Sequence, residues 1–377
     1  MTEDSFILVD TARNWKTCLR SLRQTQRIAV DIEANSLHAY REKICLIQIS
    51  TDNNDYIVDP LADFSLEGLA ALFADAAVEK IFHAADYDLS LLKGLYGWEL
   101  NNLFDTMWAG RILGFSQMGL AWFLETLYGV TLSKKCQKAD WASRPLSREK
   151  LIYARNDTHY LPRLRDNLAQ RLREAGMEDE AREIFAEECQ VEGTHRVFNP
   201  DDFWRLKGVR SMSPRCQAIV KTLFVFRDKE AQRRDVPPFK VFNNQVLLAL
   251  ARHAAQWNGQ PPDNISSIPG VPSRLFDRMK PKIIKTLKAG LQAPFPKQPP
   301  RKTVSPRGYW KRHEALLTWR KDMARERGVE SDVILGRKAL EEIAKSGPES
   351  MEELLALNVL GPWRKKHYSN DILQALK

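Results

Sequence analysis

The feature that most constrains this chain is a repetition in its second half, at an offset of 93 residues. Leu223-Phe-Val-Phe-Arg227 returns as Leu316-Leu-Thr-Trp-Arg320, and Ala231, Arg234 and Val236 return as Ala324, Arg327 and Val329. Val241 and Phe242 match Ile334 and Leu335, and Leu247 and Leu250 match Leu340 and Ile343. After a small change of length, Ile268-Pro-Gly270 corresponds to Val359-Leu-Gly361. The apolar spacing is helical throughout and no strand pattern interrupts it. Two copies of one small all-α module, each under about ninety residues, are therefore expected.

The first half reads differently. Ile28-Ala-Val-Asp-Ile32, Cys45-Leu-Ile-Gln-Ile49 and Tyr56-Ile-Val58 are short β-branched runs separated by polar turns, with a hairpin expected around Thr51-Asp-Asn-Asn54. Helical spacing follows from Leu66 to Ala74, then a strand at Lys80-Ile-Phe82, a helix through Leu89 to Leu92, and a strand end at Leu103-Phe104-Asp105. From there to about residue 188 the pattern is helical, which makes an α/β domain on a mixed sheet. The expected boundaries are 1–190 for this domain, 203–290 and 308–377 for the two helical modules, and 291–307 for a Pro-rich basic linker.

The chain is long enough for two or three domains. Its net charge of +9 is unevenly placed. Residues 1–190 carry 22 Lys/Arg against 29 Asp/Glu, a balance of −7, whereas residues 191–377 carry 35 against 19, a balance of +16. An excess of that size on one half points to a polyanionic partner, nucleic acid first. Five scattered cysteines without a C-x-x-C pair form neither a disulfide framework nor a zinc site. There is no membrane-length apolar run and no signal-peptide order at the N-terminus, so the expectation is a cytoplasmic protein with no membrane contact.

The residues that can carry chemistry are acids. Asp31 and Glu33 stand at i and i+2 on a strand and leave the same face, which favours a divalent cation between them or, equally, an ordinary solvated strand end. Tyr153 and Asp157 stand at i and i+4 on a helix and share a face. In His83-Ala-Ala-Asp-Tyr-Asp-Leu-Ser-Leu-Leu92, either Asp86 or Asp88 can cap a helix, as can Asp105 further on. Singly, each feature has a plain structural explanation.

Their order resembles the DEDD exonuclease superfamily in its tyrosine-bearing branch, on a ribonuclease H-like fold. Asp140-Trp-Ala-Ser-Arg-Pro-Leu146 looks like the stretch before the third motif of the ribonuclease D family, and the helical repeats look like HRDC domains, of which that family carries two. The resemblance assigns Asp31 and Glu33 to the first motif, Asp88 to the second because it directly precedes Leu89, and Tyr153 with Asp157 to the third. It gives no catalytic role to Trp141, Arg144 or Pro145. It implies 3′→5′ exoribonuclease activity with two divalent ions (Mg²⁺ or Mn²⁺) held by Asp31, Glu33, Asp88 and Asp157, Tyr153 orienting the attacking water, and 5′-nucleotide products. The implied substrates are tRNA precursors, processed during tRNA 3′-end maturation by a monomer. A DNA-directed exonuclease and a non-catalytic nucleic-acid-binding scaffold are the rival readings.

Because the acidic half repels RNA, the basic half has to supply affinity. Candidate RNA contacts are His83, Arg205, Lys207, Arg210, Arg233, Arg234, Lys280, Lys282, Lys285, Arg301 and Lys302. Trp204, Tyr309 and Trp310 are candidates for stacking on bases, while Trp319, which matches Phe226 in the repeat, is expected in the helical core.

Overall fold

Six strands form one mixed sheet in a computed structural model that describes residues 5–133, 135–194, 197–257, 268, 270–300 and 306–377, the side chains of 274–276 and 278 excepted. The elements of the first half are β1 (Ile7–Val9), α1 (Ala12–Leu22), β2 (Arg27–Ala34), β3 (Ile44–Ser50), β4 (Asp55–Val58), α2 (Glu67–Ala74), β5 (Glu79–Phe82), α3 (Asp86–Tyr96), β6 (Leu103–Asp105), α4 (Thr106–Ile112), α5 (Leu120–Tyr128), α6 (Arg148–His159), α7 (Leu161–Glu174) and α8 (Glu178–Glu188). The strand order is β1-β4-β3-β2-β5-β6. The β2–β3 and β3–β4 pairs are antiparallel; β1–β4, β2–β5 and β5–β6 are parallel. The expected hairpin is therefore present. β1 lies outside the sequence expectation: three residues at a sheet edge, with Ile7 and Leu8 exposed, are too short to show a period.

Alternation along the strands sorts the two faces. Ile28, Val30 and Ile32 of β2, with Ile47 and Ile49 of β3 and Tyr56 and Val58 of β4, enter the main core. Asp31 and Glu33 lie on the other face, opposite Gln48 and Leu46 in register. On that side Leu46 and Ile57 pack with Trp141 and Ala154 of α6. So one period-2 pattern both builds the core and aims the two acids at a helix.

The second half is helical, as expected: α9 (Pro214–Arg234), α10 (Pro238–Val241), α11 (Asn244–Ala254), α12 (Ser273–Gln292), α13 (Tyr309–Arg327), α14 (Ser331–Ile334), α15 (Arg337–Ser346), α16 (Met351–Ala356) and α17 (Pro362–Leu376). The 93-residue offset reaches individual hydrogen bonds. Arg227 donates to the Phe242 carbonyl at 3.2 Å and Arg320 to the Leu335 carbonyl at 3.0 Å. The N–H groups of Val236 and Val329 bond the carbonyls of Ala231 and Ala324, both at 3.0 Å. Each copy has its own core, around Leu223, Leu247 and Leu287 in the first and Leu316, Leu340 and Ile372 in the second. Trp319 packs against the second core, as expected.

The chain divides into two compact units. One comprises Met1–Ala34, Ile44–His195 and Lys302–Lys377, and therefore holds the α/β domain together with the second helical copy. The other comprises Asn35–Lys43 and Arg196–Arg301. Within the first unit, α17 and the end of α13 meet α8 through ion pairs. Arg364 meets Glu183 at 3.1 Å and Glu187 at 2.7 Å, and Arg327 meets Glu180 at 2.7 Å. Glu183 also accepts the Trp363 N–H at the start of α17. Gly361 makes this approach feasible, because a β-carbon there would lie 2.1 Å from Glu183 Cδ. Arg111 of α4 completes the junction by pairing with Glu330 and Asp332.

Candidate active site

Three of the acids singled out from the sequence meet. Carboxylate oxygens of Asp31, Glu33 and Asp157 all lie within 4.8 Å of one another. The strand supplies the first two, and α6 lays Asp157 over them. Asp88 is buried in the first turn of α3, close enough for its charge to act on Glu33 and to feel those of Asp31 and Asp157, though its oxygens fall outside that 4.8 Å group. Asp86 is exposed and hydrogen-bonds Glu188 instead. The geometry thus separates the two acids that the sequence left open before the motif was considered.

α6 is held to the sheet by its other face. Asp55 of β4 accepts hydrogen bonds from Arg155 Nε at 2.7 Å and Ser50 Oγ at 2.6 Å, and sits 2.8 Å from His159 Nδ1. Burial alone would raise the Asp55 carboxyl, but the bonds from His159, Ser50 and Arg155 outweigh it and hold it below the usual range. Ser50 also shares a hydrogen bond with Thr158 at 2.7 Å. Residues 155, 158 and 159 are therefore the anchor and 153 and 157 the working face of one helix.

Asp105 anchors α3 in the same manner. It caps α4 through the N–H groups of Met107 and Trp108, and also accepts from Ala84 and Ala85 at 3.2 and 2.7 Å. Ala84 has φ +64°, a left-handed conformation that costs a non-glycine residue of order 1–3 kcal/mol. These bonds fix the turn that delivers Asp88. His83 stands on the same turn, 2.9 Å from Thr106 Oγ1, and burial lowers its pKa to about 4 against an opposing bond with the Met118 backbone. At neutral pH it carries no charge.

The stretch before α6 gains a structural role. Arg144 forms a bidentate pair with Asp59 at 2.6 and 2.7 Å and donates to the Cys45 carbonyl at 2.8 Å. That holds Trp141, fully buried, against Tyr153 with ring centroids 6.0 Å apart. A cavity of about 320 Å³ opens beside Tyr153 and Asp157, lined by Leu132, Cys136, Ile152 and Asn156 with Arg148 at its rim. A larger cleft of about 700 Å³ lies around Arg155 and His159, on the anchor side of α6, and shares no lining residue with the acids.

The electrostatics of the acid set are unbalanced. Burial raises Asp31 to about 7, opposed only by a backbone bond from Ile32. Burial, then the charges of Asp31, Asp157 and Asp88, raise Glu33 to about 10. Asp88 and Asp157 are likewise pushed well above the carboxylate range by burial and by Asp31. Burial and the neighbouring acids also push Tyr153 upward, which removes it as a base and leaves a neutral hydroxyl. Across the strand from Asp31, buried Gln48 has neither amide atom hydrogen-bonded among the described residues. A set of hard oxygen donors repelling one another in a buried site fits a hard divalent cation.

Residues 6–173 match the 3′-5′ exonuclease family, and residues 217–287 and 311–376 match the HRDC domain. The chain is a DEDD-type 3′-5′ exonuclease domain, of the ribonuclease D and RRP6 kind, followed by two HRDC domains. It is 34% identical to the exosome complex exonuclease RRP6 of Saccharomyces cerevisiae, over 66% of this chain and 36% of that protein. The exosome complex component 10 homolog of Caenorhabditis elegans is 33% identical over 65% of this chain and 28% of that protein. The chain thus spans about a third of the length of these curated relatives. Among solved structures, the RRP6 catalytic core of Trypanosoma brucei superposes with a TM-score of 0.67 at 26% identity, over 78% of this chain and 81% of that one. Escherichia coli RNase D shares the fold over 99% of this chain and 98% of its own, with a TM-score of 0.68 at 21% identity.

Two expectations about this chain need correction. The cytoplasmic placement is overturned by the RRP6 and component 10 relatives, which are nuclear and nucleolar exosome components. Scattered cysteines do not tell nucleus from cytosol, since both are reducing. Trp204 is no stacking surface either: it is buried in the first HRDC core against Phe203. Arg233, Arg234 and Lys282 converge on Glu230, whose pKa falls to about 2, through the Arg233 bond first. Arg205 pairs with Asp202; Lys207, Arg210 and Lys285 are exposed and Lys280 half-buried. Arg301 and Lys302 lie outside the described residues. No helix among the described residues is long and apolar enough to cross a membrane.

Proposed function

We propose that this chain is a 3′→5′ exoribonuclease that hydrolyses the terminal phosphodiester of RNA, acting as a monomer on tRNA precursors during 3′-end maturation. The observation that carries the reading is the meeting of Asp31, Glu33 and Asp157 oxygens within 4.8 Å, without a cationic side chain among the groups that shift them. Asp31, Glu33, Asp88 and Asp157 would hold two divalent ions, Mg²⁺ or Mn²⁺. The chemistry such ions supply when bound is activation of water and stabilisation of the leaving 3′ oxygen. Tyr153, neutral and backed by Trp141, orients the attacking water through its hydroxyl. The RRP6 relatives, one of them named an exonuclease, support the reaction class. The HRDC matches at 217–287 and 311–376 fall inside proposed domain limits of 203–290 and 308–377, joined by a linker at 291–307 behind a catalytic domain of 1–190.

The test is a 3′-tailed RNA and its DNA counterpart, incubated with Mg²⁺ or Mn²⁺ and the parent or the Asp31→Asn variant. RNA should shorten one nucleotide at a time with the parent and stay intact, within about a thousandth of the parent rate, with the variant. If DNA alone shortens, the chain is a DNA exonuclease. Parent-like degradation by Asp31→Asn would remove the acid set from the mechanism.

A further inference from the structure

The two HRDC copies share a helix but differ in what covers it. At the 93-residue offset, Gln217, Val220 and Phe224 of α9 correspond to Trp310, His313 and Leu317 of α13. In the first copy this face is closed. Gln217 donates to the carbonyls of Val209 and Met212 at 3.1 and 2.9 Å, Val220 is fully buried, and Phe224 stacks on Phe198. The cover is the segment before α9, with 3₁₀ turns at Pro200–Arg205 and Val209–Ser211 that bring in Phe203, Trp204 and Val209.

In the second copy the matching face is open at Trp310 and Leu317 and half-buried at His313 among the described residues. Trp310, His313 and Leu317 fall at i, i+3 and i+7 and so share one side of α13. Trp310 is 69% exposed and Leu317 38%. Tyr309 stands edge-on to Trp310 at 4.9 Å, and His313 lies 5.9 Å from Trp310 and 5.5 Å from Tyr309. The residues before α13 are a Pro-rich linker with one aromatic, Phe295, itself exposed, where the first copy has Phe203 and Trp204. A large aromatic left in water on a helix whose twin is covered marks a surface awaiting a partner.

We propose that this face is a stacking platform for unpaired bases of single-stranded RNA, an inference that rests on the exoribonuclease reading. Every base has a π-face, and indole and phenol rings stack on it without regard to sequence. Exposed Arg307 and Lys311 flank the rings and suit the phosphate backbone; of the acids on this side, Glu314 is exposed and Glu341 is paired with Arg337. Arg312 is not available for this: its guanidinium is fixed by the carbonyls of Ala344 and Arg307. A face for a protein helix would show a run of aliphatic side chains, and here there is only Leu317.

The experiment measures binding of a fluorescent oligo(A) RNA, about 20 nucleotides long and so beyond a single site of this type. The full chain is used in EDTA, so that no turnover occurs. Trp310→Ala should weaken binding about tenfold or more, Trp310→Phe less than about threefold, and Trp310→Leu as much as alanine, because leucine keeps apolar area but cannot stack. A blunt RNA duplex should bind the parent and Trp310→Ala equally. Parent-like affinity in Trp310→Ala or Trp310→Leu overturns the proposal, as does a parent that fails to bind oligo(A). A leucine variant that binds as well as the parent would mark instead an apolar surface suited to protein. With Mg²⁺ restored, a parent that binds RNA but leaves it uncut refutes the nuclease reading alone, since the stacking result is read without turnover.

Discussion

Glu183 and Glu33 are both carboxylates held inside the first unit, and their surroundings are opposite. Glu183 meets Arg364, with both side chains almost wholly buried, and accepts N–H groups at the start of α17, where the helix dipole also favours a negative charge. Its neighbours Glu180 and Glu187 each have an arginine too. Glu33 meets Asp31 and Asp157 and feels the charge of Asp88, and all four are pushed toward the protonated form. In the first region the chain neutralises what it buries and uses the pairs to attach a helical domain. In the second no cationic side chain is among the groups that shift the acids, an arrangement that suits a cation.

The contrast predicts opposite signs for similar substitutions. The largest effect is expected at the junction. Arg364→Ala strands Glu183 without a counter-charge and should cost about 3–5 kcal/mol in urea unfolding of the full chain. A loss below about 1 kcal/mol would mean that water already reaches the pair. At the acid cluster the sign reverses: Glu33→Gln should stabilise the chain in EDTA by roughly 3 kcal/mol at pH 8, and Mg²⁺ should narrow that gap by stabilising the parent more. The pH dependence follows from the same shift. A carboxyl whose folded pKa is raised from 4.5 to about 10 contributes stability below pH 4.5 that is lost as pH rises toward 10. The advantage of Glu33→Gln over the parent should therefore grow with pH across that window; a gap that is flat or shrinks would show that Glu33 is not shifted. The smallest effect is expected in the other unit, where Lys282→Ala removes a half-exposed partner of Glu230 that retains Arg233 and Arg234, and should change unfolding by less than about 1 kcal/mol.

Local spacing was enough to read much of this molecule. Asp31 and Glu33 at i and i+2, and Tyr153 and Asp157 at i and i+4, follow from strand and helix periods. The duplicated helices follow from a pattern that recurs at a fixed offset, down to Arg227 and Arg320 on matching carbonyls. What stayed hidden are partnerships between residues far apart in the chain. Asp55 with Arg155 and His159, Arg144 with Asp59, and Glu183 with Arg364 are separated by 100, 104, 85 and 181 positions. No period links such residues, so nothing in the sequence set Asp55 apart, and Arg144 stood in a motif without a catalytic role. Trp204 failed for a related reason: an aromatic among basic residues looks the same whether a neighbouring segment covers it or not.

The sequence by itself determined the α/β half, the paired helical modules, the division of charge between them and which acids share a strand or helix face, because these depend on residue type and short-range spacing. Tertiary structure alone decided that the second HRDC copy shares a unit with the exonuclease domain while the first does not, and that Trp310 is exposed where Gln217 is covered. Burial is a property of what packs on a residue, and the packing segment is set by the path of the whole chain.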